Sequence, residues 1–234
     1  MLRRGFCWTL LAGLLAGPAR ADEPEPNKLT PEENANGWKL LFDGQTTTGW
    51  RNYKGKGVNP GWQVADGALV RKGAGAGDLV TLEQYECFEL TLDYKIGKAG
   101  NSGLKYHVQE TKDTPWQTGP EVQIQDNAAG RDPQKSGWLY QLHRAKIDAT
   151  KPAGEWNTLR ILISPQKCEH WMNGKKYCEY VKGNDDWRER VAGSKFAKFD
   201  EFGVARKGFL CLQDHGDEVA FRNLKVRVFK PSFD

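Results

Sequence analysis

Polar and aliphatic side chains alternate in segment 121–126, which runs Glu-Val-Gln-Ile-Gln-Asp. Successive side chains of a β-strand point to opposite faces, so Glu121, Gln123 and Gln125 should share one face and the two aliphatic residues the other. A carboxylate on a polar strand face can serve as a general base or as a metal ligand. We therefore predict Glu121 as a catalytic residue and Gln123 as a substrate-binding residue, with a solvated strand as the alternative.

Asp126 ends the same segment, out of phase with Glu121. It would join Glu121 on one face only if a β-bulge inserted an extra residue. A retaining glycosidase needs two carboxyl groups about 5 Å apart. The pattern therefore disfavours such a pair on this strand, and Asp126 is predicted to bind substrate instead.

His215 stands at a glycine turn, directly after Gln213 and Asp214, where a strand-like run ends. Histidine titrates near neutral pH and can act as a base, an acid or a metal ligand. We predict His215 as a second catalytic residue and Gln213 as a substrate-binding neighbour. The alternative is a histidine that only caps the turn.

A divalent metal is a further option. His107, Glu121 and His215 carry donor atoms that transition metals bind, but their spacing matches no compact ligand motif. These three residues are therefore the candidate ligands if a metal is present, and no other cofactor is predicted.

Four more polar residues are predicted to bind substrate. Asn101 and Ser102 lie in a turn before a strand, where they can donate to a ligand or merely satisfy the turn itself. Lys105 follows on that strand, and Lys195 lies in a segment that can reach over a neighbouring site. A solvated lysine is the alternative for Lys195.

The chain has nine tryptophans. Most lie in segments that look structural, but Trp116 and Trp138 lie in turn-rich stretches on either side of segment 121–126. The apolar C–H faces of sugar rings stack on aromatic rings, so an exposed tryptophan near polar groups suggests a carbohydrate ligand. We predict Trp138 as a substrate-binding residue.

Short strand-like runs must position these side chains. Glycine and Asn or Asp turns separate the runs, the chain has 26 glycines, and no long helical period appears. This pattern predicts an all-β sandwich or jelly roll. A brief helix with a capping box is predicted from Thr30, and one helical insertion over 186–199. The predicted strands are 69–70, 88–94, 103–108, 121–125, 159–164, 169–172, 209–213 and 219–229.

Alternation assigns faces to three of these strands. Leu104, Tyr106 and Val108 should point to the core, and Lys105 and His107 away from it. The strands over 121–125 and 209–213 split in the same way. If the three strands are neighbours, their polar faces form one surface that carries the candidate residues.

Residues 1–21 have the form of a Sec signal peptide, with an arginine pair, a short apolar run and a small-x-small cleavage site at Ala19-Arg20-Ala21. The apolar run is shorter than the roughly 20 residues that span a bilayer. We therefore predict a secreted or periplasmic protein, with a linker and short helix over 22–36 and one domain over 37–232.

The predicted mature chain is nearly neutral. The full chain has a formal charge of +4, and loss of Arg3, Arg4 and Arg20 with no acid leaves 31 basic against 30 acidic residues. Without a basic run, neither a nucleic acid nor an anionic membrane is expected as a partner.

Four cysteines remain after residue 21, which permits up to two disulfides outside the cytoplasm. Cys168 and Cys178 flank the turn Asn173-Gly174. A two-residue turn would separate their sulfurs, whereas a three-residue loop would set them opposite each other. The sequence leaves this bridge open, together with any pairing of Cys87 and Cys211.

Several short segments with a common order along the chain stand out over about residues 38–229. They are Leu41-Phe42-Asp43-Gly44, Gly49-Trp50, Trp62-x-Val64-x-Asp66-Gly67-x-Leu69, Phe88-x-Leu90-x-Leu92-Asp93-Tyr94, Gly100-Asn101-Ser102-Gly103-Leu104, Glu121-x-Gln123-Ile124-x-Asp126, Gly154-Glu155-Trp156-Asn157, Ser194-Lys195-Phe196, Leu212-Gln213-Asp214-His215-Gly216 and Phe221-Arg222-Asn223. Together these segments resemble the 3-keto-disaccharide hydrolase family. The resemblance implies an all-β, concanavalin-A-like lectin/glucanase jelly-roll β-sandwich with one short helical insertion.

The family resemblance implies an enzyme that cleaves the glycosidic bond of 3-keto glycosides or disaccharides. The C3 ketone acidifies the C2 proton, so a base, an oxyanion stabiliser and preferably an acid suffice. Hydrolase and lyase outcomes need the same base and oxyanion contacts. The alternatives are a non-catalytic carbohydrate-binding, lectin-like module and a hydrolase of unoxidised glycans, which Gln123 and Gln125 disfavour.

Overall fold

The computed structural model describes residues 25–230, and its strands there form two antiparallel sheets. The predicted signal peptide lies outside the described residues. The strands are β1 (Trp38–Leu40), β2 (Trp50–Asn52), β3 (Trp62–Ala65), β4 (Ala68–Arg71), β5 (Leu79–Tyr85), β6 (Phe88–Ile96), β7 (Asn101–Val108), β8 (Glu121–Gln125), β9 (Asn157–Ile163), β10 (Cys168–Met172), β11 (Lys175–Tyr180), β12 (Gly208–Leu212) and β13 (Val219–Val228).

The larger sheet has the order β11-β10-β9-β6-β13-β4-β3, with β1 beside β13, and the smaller sheet has the order β2-β5-β12-β7-β8. Apolar side chains from both sheets pack into one core, including Leu90 and Leu92 of β6 and Leu104 of β7. The predicted all-β jelly-roll sandwich is confirmed. None of the helices within residues 25–230 combines the length and apolarity needed to cross a bilayer.

Both predicted helical segments are present. Helix α1 (Pro31–Ala35) begins with the capping box of Thr30 and Glu33. The insertion contains helix α2 (Asp185–Ala192), which ends at Gly193, and a 3-10 helix over Lys195–Lys198. A second 3-10 helix covers Pro115–Gln117. Aromatic stacking anchors the insertion, because the ring of Phe196 lies 3.9 Å from that of Phe202.

A β-bulge in β7 places Val108 on a different face of the sheet from the predicted one. Phe209 and Cys211 of β12 pair with Val108 and Lys105 of β7, so β7 carries one more residue than β12 between these rungs. His107 is the extra residue of the bulge, and its φ of 53° lies in the left-handed region. Val108 therefore packs with Phe209 and Cys211 rather than with the core residues before it, and its predicted placement is wrong.

All four cysteines after residue 24 are free thiols. The turn between β10 and β11 has two residues, and a register shift at His170 places Cys178 opposite His170 and Cys168 opposite Tyr180. The two sulfurs are therefore not opposed across the strands, which settles the alternative that the sequence left open.

Two histidines are buried. His170 is 0% exposed, between the Gly137 carbonyl and the Tyr180 hydroxyl, each at 3.0 Å. Burial lowers the pKa of His170 to about 4, and burial together with the nearby Lys182 ammonium lowers the pKa of His107 to about 3. Both imidazoles are thus neutral in the folded protein at neutral pH.

This burial predicts acid sensitivity above the range in which carboxylates titrate. An unfolded histidine has a pKa of about 6.5. Each depressed folded pKa therefore contributes stability that is present above pH 6.5 and is lost as the pH falls towards the folded value. Each histidine should remove about 1.4 kcal/mol of unfolding free energy per pH unit below about 6.

Urea denaturation at pH 7, 6 and 5 measures this loss. The variant His170→Gln, which keeps a donor and an acceptor, should show about half the wild-type pH slope. An unchanged slope in this variant would rule out His170 as a source of the acid sensitivity.

Candidate active site

A pocket of about 340 Å³ opens on the polar face of the smaller sheet. Strands β12, β7 and β8 are neighbours there, as the sequence predicted, and they bring together residues far apart in the chain. We call this cavity the Glu121 pocket. Its lining residues are Asp78, Asn101, Thr114, Trp116, Glu121, Gln123, Asp132, Tyr140, Lys195, Gln213, Asp214 and His215.

Glu121 forms a buried ion pair with Lys105 behind the pocket wall. The two residues are directly paired across β7 and β8, and Lys105 Nζ lies 3.3 Å from Glu121 Oε2. Lys105 is 0% exposed. Burial disfavours its charge, but the carboxylates of Glu121 and Asp78 outweigh that effect and raise the pKa of Lys105. The ammonium therefore persists beside the Glu121 carboxylate.

Gln213 completes the surroundings of this ammonium. In the amide orientation that satisfies both of its polar atoms, Gln213 Oε1 accepts from Lys105 Nζ at 3.0 Å and Nε2 donates to the Ser102 carbonyl at 3.1 Å. Lys105 is thus held between a carboxylate and an amide oxygen. Its predicted role in direct substrate binding is not supported, because it lies behind Glu121 and does not line the pocket.

Gly103 provides the space that Glu121 occupies. A Cβ atom at this position would lie 2.6 Å from Glu121 Oε1 and 2.9 Å from its Cδ. Any larger residue would therefore move the carboxylate. This glycine of β7 is needed for the position of Glu121, a role that the sequence alone did not reveal.

Two amide side chains leave polar atoms without a protein partner. Gln123 is 1% exposed, and its Oε1 accepts from the Ile124 N–H at 3.1 Å while its Nε2 is unpaired. The Oδ1 atom of Asn101 is also unpaired. Buried polar groups are normally hydrogen-bonded. A free donor and a free acceptor in the lining of one pocket are suited to the hydroxyl groups of a ligand.

The end of β12 brings further acids to the pocket. Asp214 is held by Arg71 at 2.5 Å and by the Gly77 N–H at 2.7 Å, and its own N–H donates to Asp78 at 2.7 Å. These contacts fix the turn that carries His215. The His215 side chain is exposed at the pocket wall.

Aromatic and basic groups form the opposite wall. Lys195 Nζ lies 4.2 Å from the centre of the Tyr140 ring and 5.4 Å from that of Trp116. The Tyr140 hydroxyl donates to Asp132 at 2.7 Å. Burial lowers the pKa of Lys195, an effect that Glu121 and Asp132 oppose. Lys195 and Trp116 both line the pocket.

Two predicted binding residues serve the scaffold instead. Ser102 is 0% exposed, and its hydroxyl donates to the Gln213 carbonyl at 2.8 Å. Asp126 accepts from the N–H groups of Ala99 at 2.9 Å and Ala128 at 3.0 Å. Burial opposes the Asp126 charge, but these backbone donors lower its pKa. Neither residue lines the Glu121 pocket, because hydrogen bonds to the backbone of other segments hold both side chains.

Trp138 also lies outside the lining. Its ring lies 5.8 Å from the Arg144 guanidinium, and its carbonyl accepts from the Gln123 N–H at 3.0 Å. The backbone of Trp138 thus extends the sheet beyond β8, while its ring does not reach the pocket.

The predicted metal-ligand set is not assembled. His107 lies at a separate cavity, where Nε2 is 2.9 Å from the Glu86 carbonyl and Nδ1 is 2.8 Å from Lys182 Nζ. Both ring nitrogens are therefore occupied. In the described part of the chain, no group of three or more His, Cys, Asp or Glu side chains is arranged to hold a metal ion.

Sequence reasoning missed Asp78, Thr114, Asp132 and Tyr140 as lining residues. They lie in loops or at strand ends that carry no periodic signal, and only the folded chain brings them to Glu121. Tyr140 is the partial exception, because its position follows from backbone pairing, with its N–H donating to the Glu121 carbonyl at 2.9 Å.

Comparison with known proteins shows which proteins this domain is similar to. A curated 3-keto-disaccharide hydrolase from Bacteroides thetaiotaomicron is 32% identical over 240 residues, covering 87% of this chain and 82% of that protein. A candidate glycosyl hydrolase from Parabacteroides distasonis has a solved structure with 38% identity and a TM-score of 0.83. That match covers 88% of this chain and 100% of the other.

A second candidate glycosyl hydrolase of known structure, also from Parabacteroides distasonis, is 31% identical with a TM-score of 0.64, covering 82% of this chain and 99% of the other. The family model described as the 3-keto-alpha-glucoside-1,2-lyase-like domain matches residues 37–227. That match spans nearly all of the sandwich, the Glu121 pocket included. This chain is therefore a member of the 3-keto-alpha-glucoside-1,2-lyase-like family.

Proposed function

We propose that this protein is a carbohydrate-active enzyme that cleaves the glycosidic bond of 3-keto glycosides by removing the proton at C2. The observation that carries the proposal is the Glu121 pocket itself. It holds a strand carboxylate paired with a fully buried ammonium, where Gln123 takes the place of a second strand acid. The name of the relative from Bacteroides thetaiotaomicron supports the same substrate class.

Glu121 would act as the general base. A ketone at C3 makes the C2 proton acidic enough for a carboxylate to remove it. The electron pair of the C2–H bond then forms the C2–C3 double bond of an enolate, and the C3 oxygen becomes negative. When the enolate collapses, the C1–O bond breaks and the leaving group departs. The Lys105 ammonium holds the Glu121 carboxylate in place through their ion pair.

The developing negative charge needs donors. Lys195 and the unpaired Nε2 atom of Gln123 are the donors in the lining that can stabilise an enolate oxygen. His215 is exposed and can protonate the leaving oxygen. Trp116 offers a face on which a sugar ring can stack. Elimination leaves a C1–C2 double bond, and addition of water across it gives the product of overall hydrolysis.

We also propose that the chain is exported, because residues 1–21 have the form of a signal peptide. A secreted or periplasmic enzyme would meet its oxidised sugar outside the cytoplasm.

The experiment that tests the activity is incubation of the protein with 3-keto-trehalose and with a 3-keto glucoside, with and without a chelator. Mass spectrometry follows the products. We expect cleavage of at least one substrate. An unsaturated keto sugar would identify elimination, whereas a plain keto sugar would indicate hydrolysis. Absence of product from both substrates, with saturable binding of glycans, would instead indicate a binding module.

Gly103→Ala should lower the activity without unfolding the protein. The added methyl group would lie 2.6 Å from Glu121 Oε1, so the carboxylate must move. A displacement of about 1 Å can reduce the rate by about 100-fold. We expect kcat/KM to fall by about that factor in steady-state assays. Gly57→Ala is the matched control, because its Cβ meets no atom within 4 Å; equal activities of the two variants would contradict this role.

A further inference from the structure

A second cavity, of about 250 Å³, shares no lining residue with the Glu121 pocket. Its wall includes Cys87, His107, Lys182 and Arg206, together with the apolar residues Ile163 and Pro165. We call it the Lys182 cavity. The bulge in β7 turns His107 towards it, and none of the chemistry proposed above uses it.

The hydrogen bonds of Lys182 define the state of its amine. Nε2 of His107 faces the Glu86 carbonyl at 2.9 Å, and a carbonyl only accepts, so Nε2 carries the proton. Nδ1 of His107 is therefore an acceptor, and Lys182 Nζ donates to it at 2.8 Å. Nζ also donates to the Ala205 carbonyl. Two N–H groups of Nζ are thus held in these hydrogen bonds. The remaining position on Nζ carries a proton in the ammonium form and a lone pair in the amine form.

The charges around Lys182 do not stabilise its ammonium form. Among residues 25–230 Lys182 has no carboxylate partner, and its neighbours are the Cys168 thiol and the Arg206 guanidinium. Burial, together with Arg206, lowers the pKa of Lys182 to about 8, although Cys168 acts in the opposite direction. Glu86 and Cys87 line the cavity without pairing with Nζ. Lys182 is half-buried, and a lysine withdrawn from solvent without a countercharge is the usual form of a nucleophilic amine.

We propose that the Lys182 cavity binds a small aldehyde or ketone and that Lys182 forms an imine with it. The Nζ lone pair attacks the carbonyl carbon, the C–N bond forms, and the π electrons move to oxygen. Nδ1 of His107 lies within hydrogen-bond distance to take a proton from nitrogen and return it to the oxygen. Loss of water then gives the imine, so one carbonyl and one amine yield one imine and one water.

Reductive trapping tests this assignment on the whole protein. Glyceraldehyde and cyanoborohydride are added at pH 7.5, and tandem mass spectrometry of the digest measures the labelling rate of each lysine. Lys182 should be labelled at least about tenfold faster than the exposed Lys72 and Lys175, because a larger fraction is free amine. The variant Lys182→Met should lose only this adduct while keeping the wild-type circular dichroism spectrum.

Two further variants separate this site from others. His107→Asn keeps a residue that adopts a left-handed φ, and it should slow labelling of Lys182 but not of Lys72. Glu121→Gln should leave the labelling of Lys182 unchanged, because the two cavities are separate. Equal labelling of Lys182 and Lys72 would overturn the proposal. Protection of the protein against heat denaturation by sodium acetate, with no adduct at Lys182, would also overturn the proposal, because that result identifies an anion site.

Discussion

Glu121→Gln is expected to reduce kcat on a cleavable 3-keto glycoside by about 10²- to 10⁴-fold, the range that a general base contributes. The amide keeps the shape of the side chain but has no basic oxygen that can take the C2 proton. Because the proposed substrate contacts through Asn101, Gln123 and Lys195 remain in this variant, KM should change little. Initial rates over a range of substrate concentrations measure both constants.

Glu155→Gln is the matched control, because Glu155 is an exposed carboxylate outside the Glu121 pocket. It should retain wild-type kcat. Circular dichroism of both variants tests whether the fold is retained. If Glu121→Gln keeps more than half of the wild-type kcat, Glu121 is not the base, and the search moves to His215 in the same pocket.

The polar surface of the sandwich was predictable because it depends on strand alternation. Glu121, Gln123 and Gln213 all lie where the period of two residues places them, and β12, β7 and β8 are neighbours. The strands with alternating or continuous apolar runs were predicted too. Five strands were not predicted. Strands β1, β2 and β3 have only three or four residues, which carry too little periodicity, and their stability comes from pairing with distant segments. Strands β5 and β11 are longer, but their buried and exposed side chains do not alternate with a period of two.

Features that depend on backbone geometry were out of reach. The bulge at His107 removes it from the polar surface, and an αL histidine has no sequence signature as strong as that of glycine. Ser102 and Asp126 have the residue types of binding groups, but backbone acceptors and donors of distant residues occupy them. A polar residue next to a turn therefore has to be tested for such bonds before it is assigned to a ligand.

Lys105 shows how burial changes the meaning of a residue. From the sequence it is one more polar side chain beside Glu121, and direct contact with substrate is the simplest expectation. The structure places it at 0% exposure, where its charge is tolerated only because Glu121 and Gln213 face it. The role that follows is to hold the Glu121 carboxylate in place, so stability and activity are linked through one ion pair.

Lys105→Met is therefore expected to lower the free energy of unfolding by about 3–5 kcal/mol, because it leaves the buried Glu121 carboxylate without its countercharge. Urea denaturation at pH 7 measures this loss. Lys225→Met is the matched control: Lys225 pairs with Glu33 at 2.8 Å, but the Glu33 side chain is 27% exposed. Solvent near that carboxylate should limit the loss to about 1 kcal/mol.

The double variant Lys105→Met/Glu121→Gln decides whether the ion pair is the cause. Removing the second charge leaves no uncompensated ion, so the double variant should be more stable than Lys105→Met alone, even though it carries one more substitution. If the two losses simply add, the effect of Lys105→Met comes from lost packing of its aliphatic chain.

The activity of Lys105→Met separates the two roles of the ion pair further, because this substitution lowers kcat through Glu121 only if the two residues are coupled. A Lys105→Met protein with wild-type kcat would show that Glu121 needs no ammonium to act as a base.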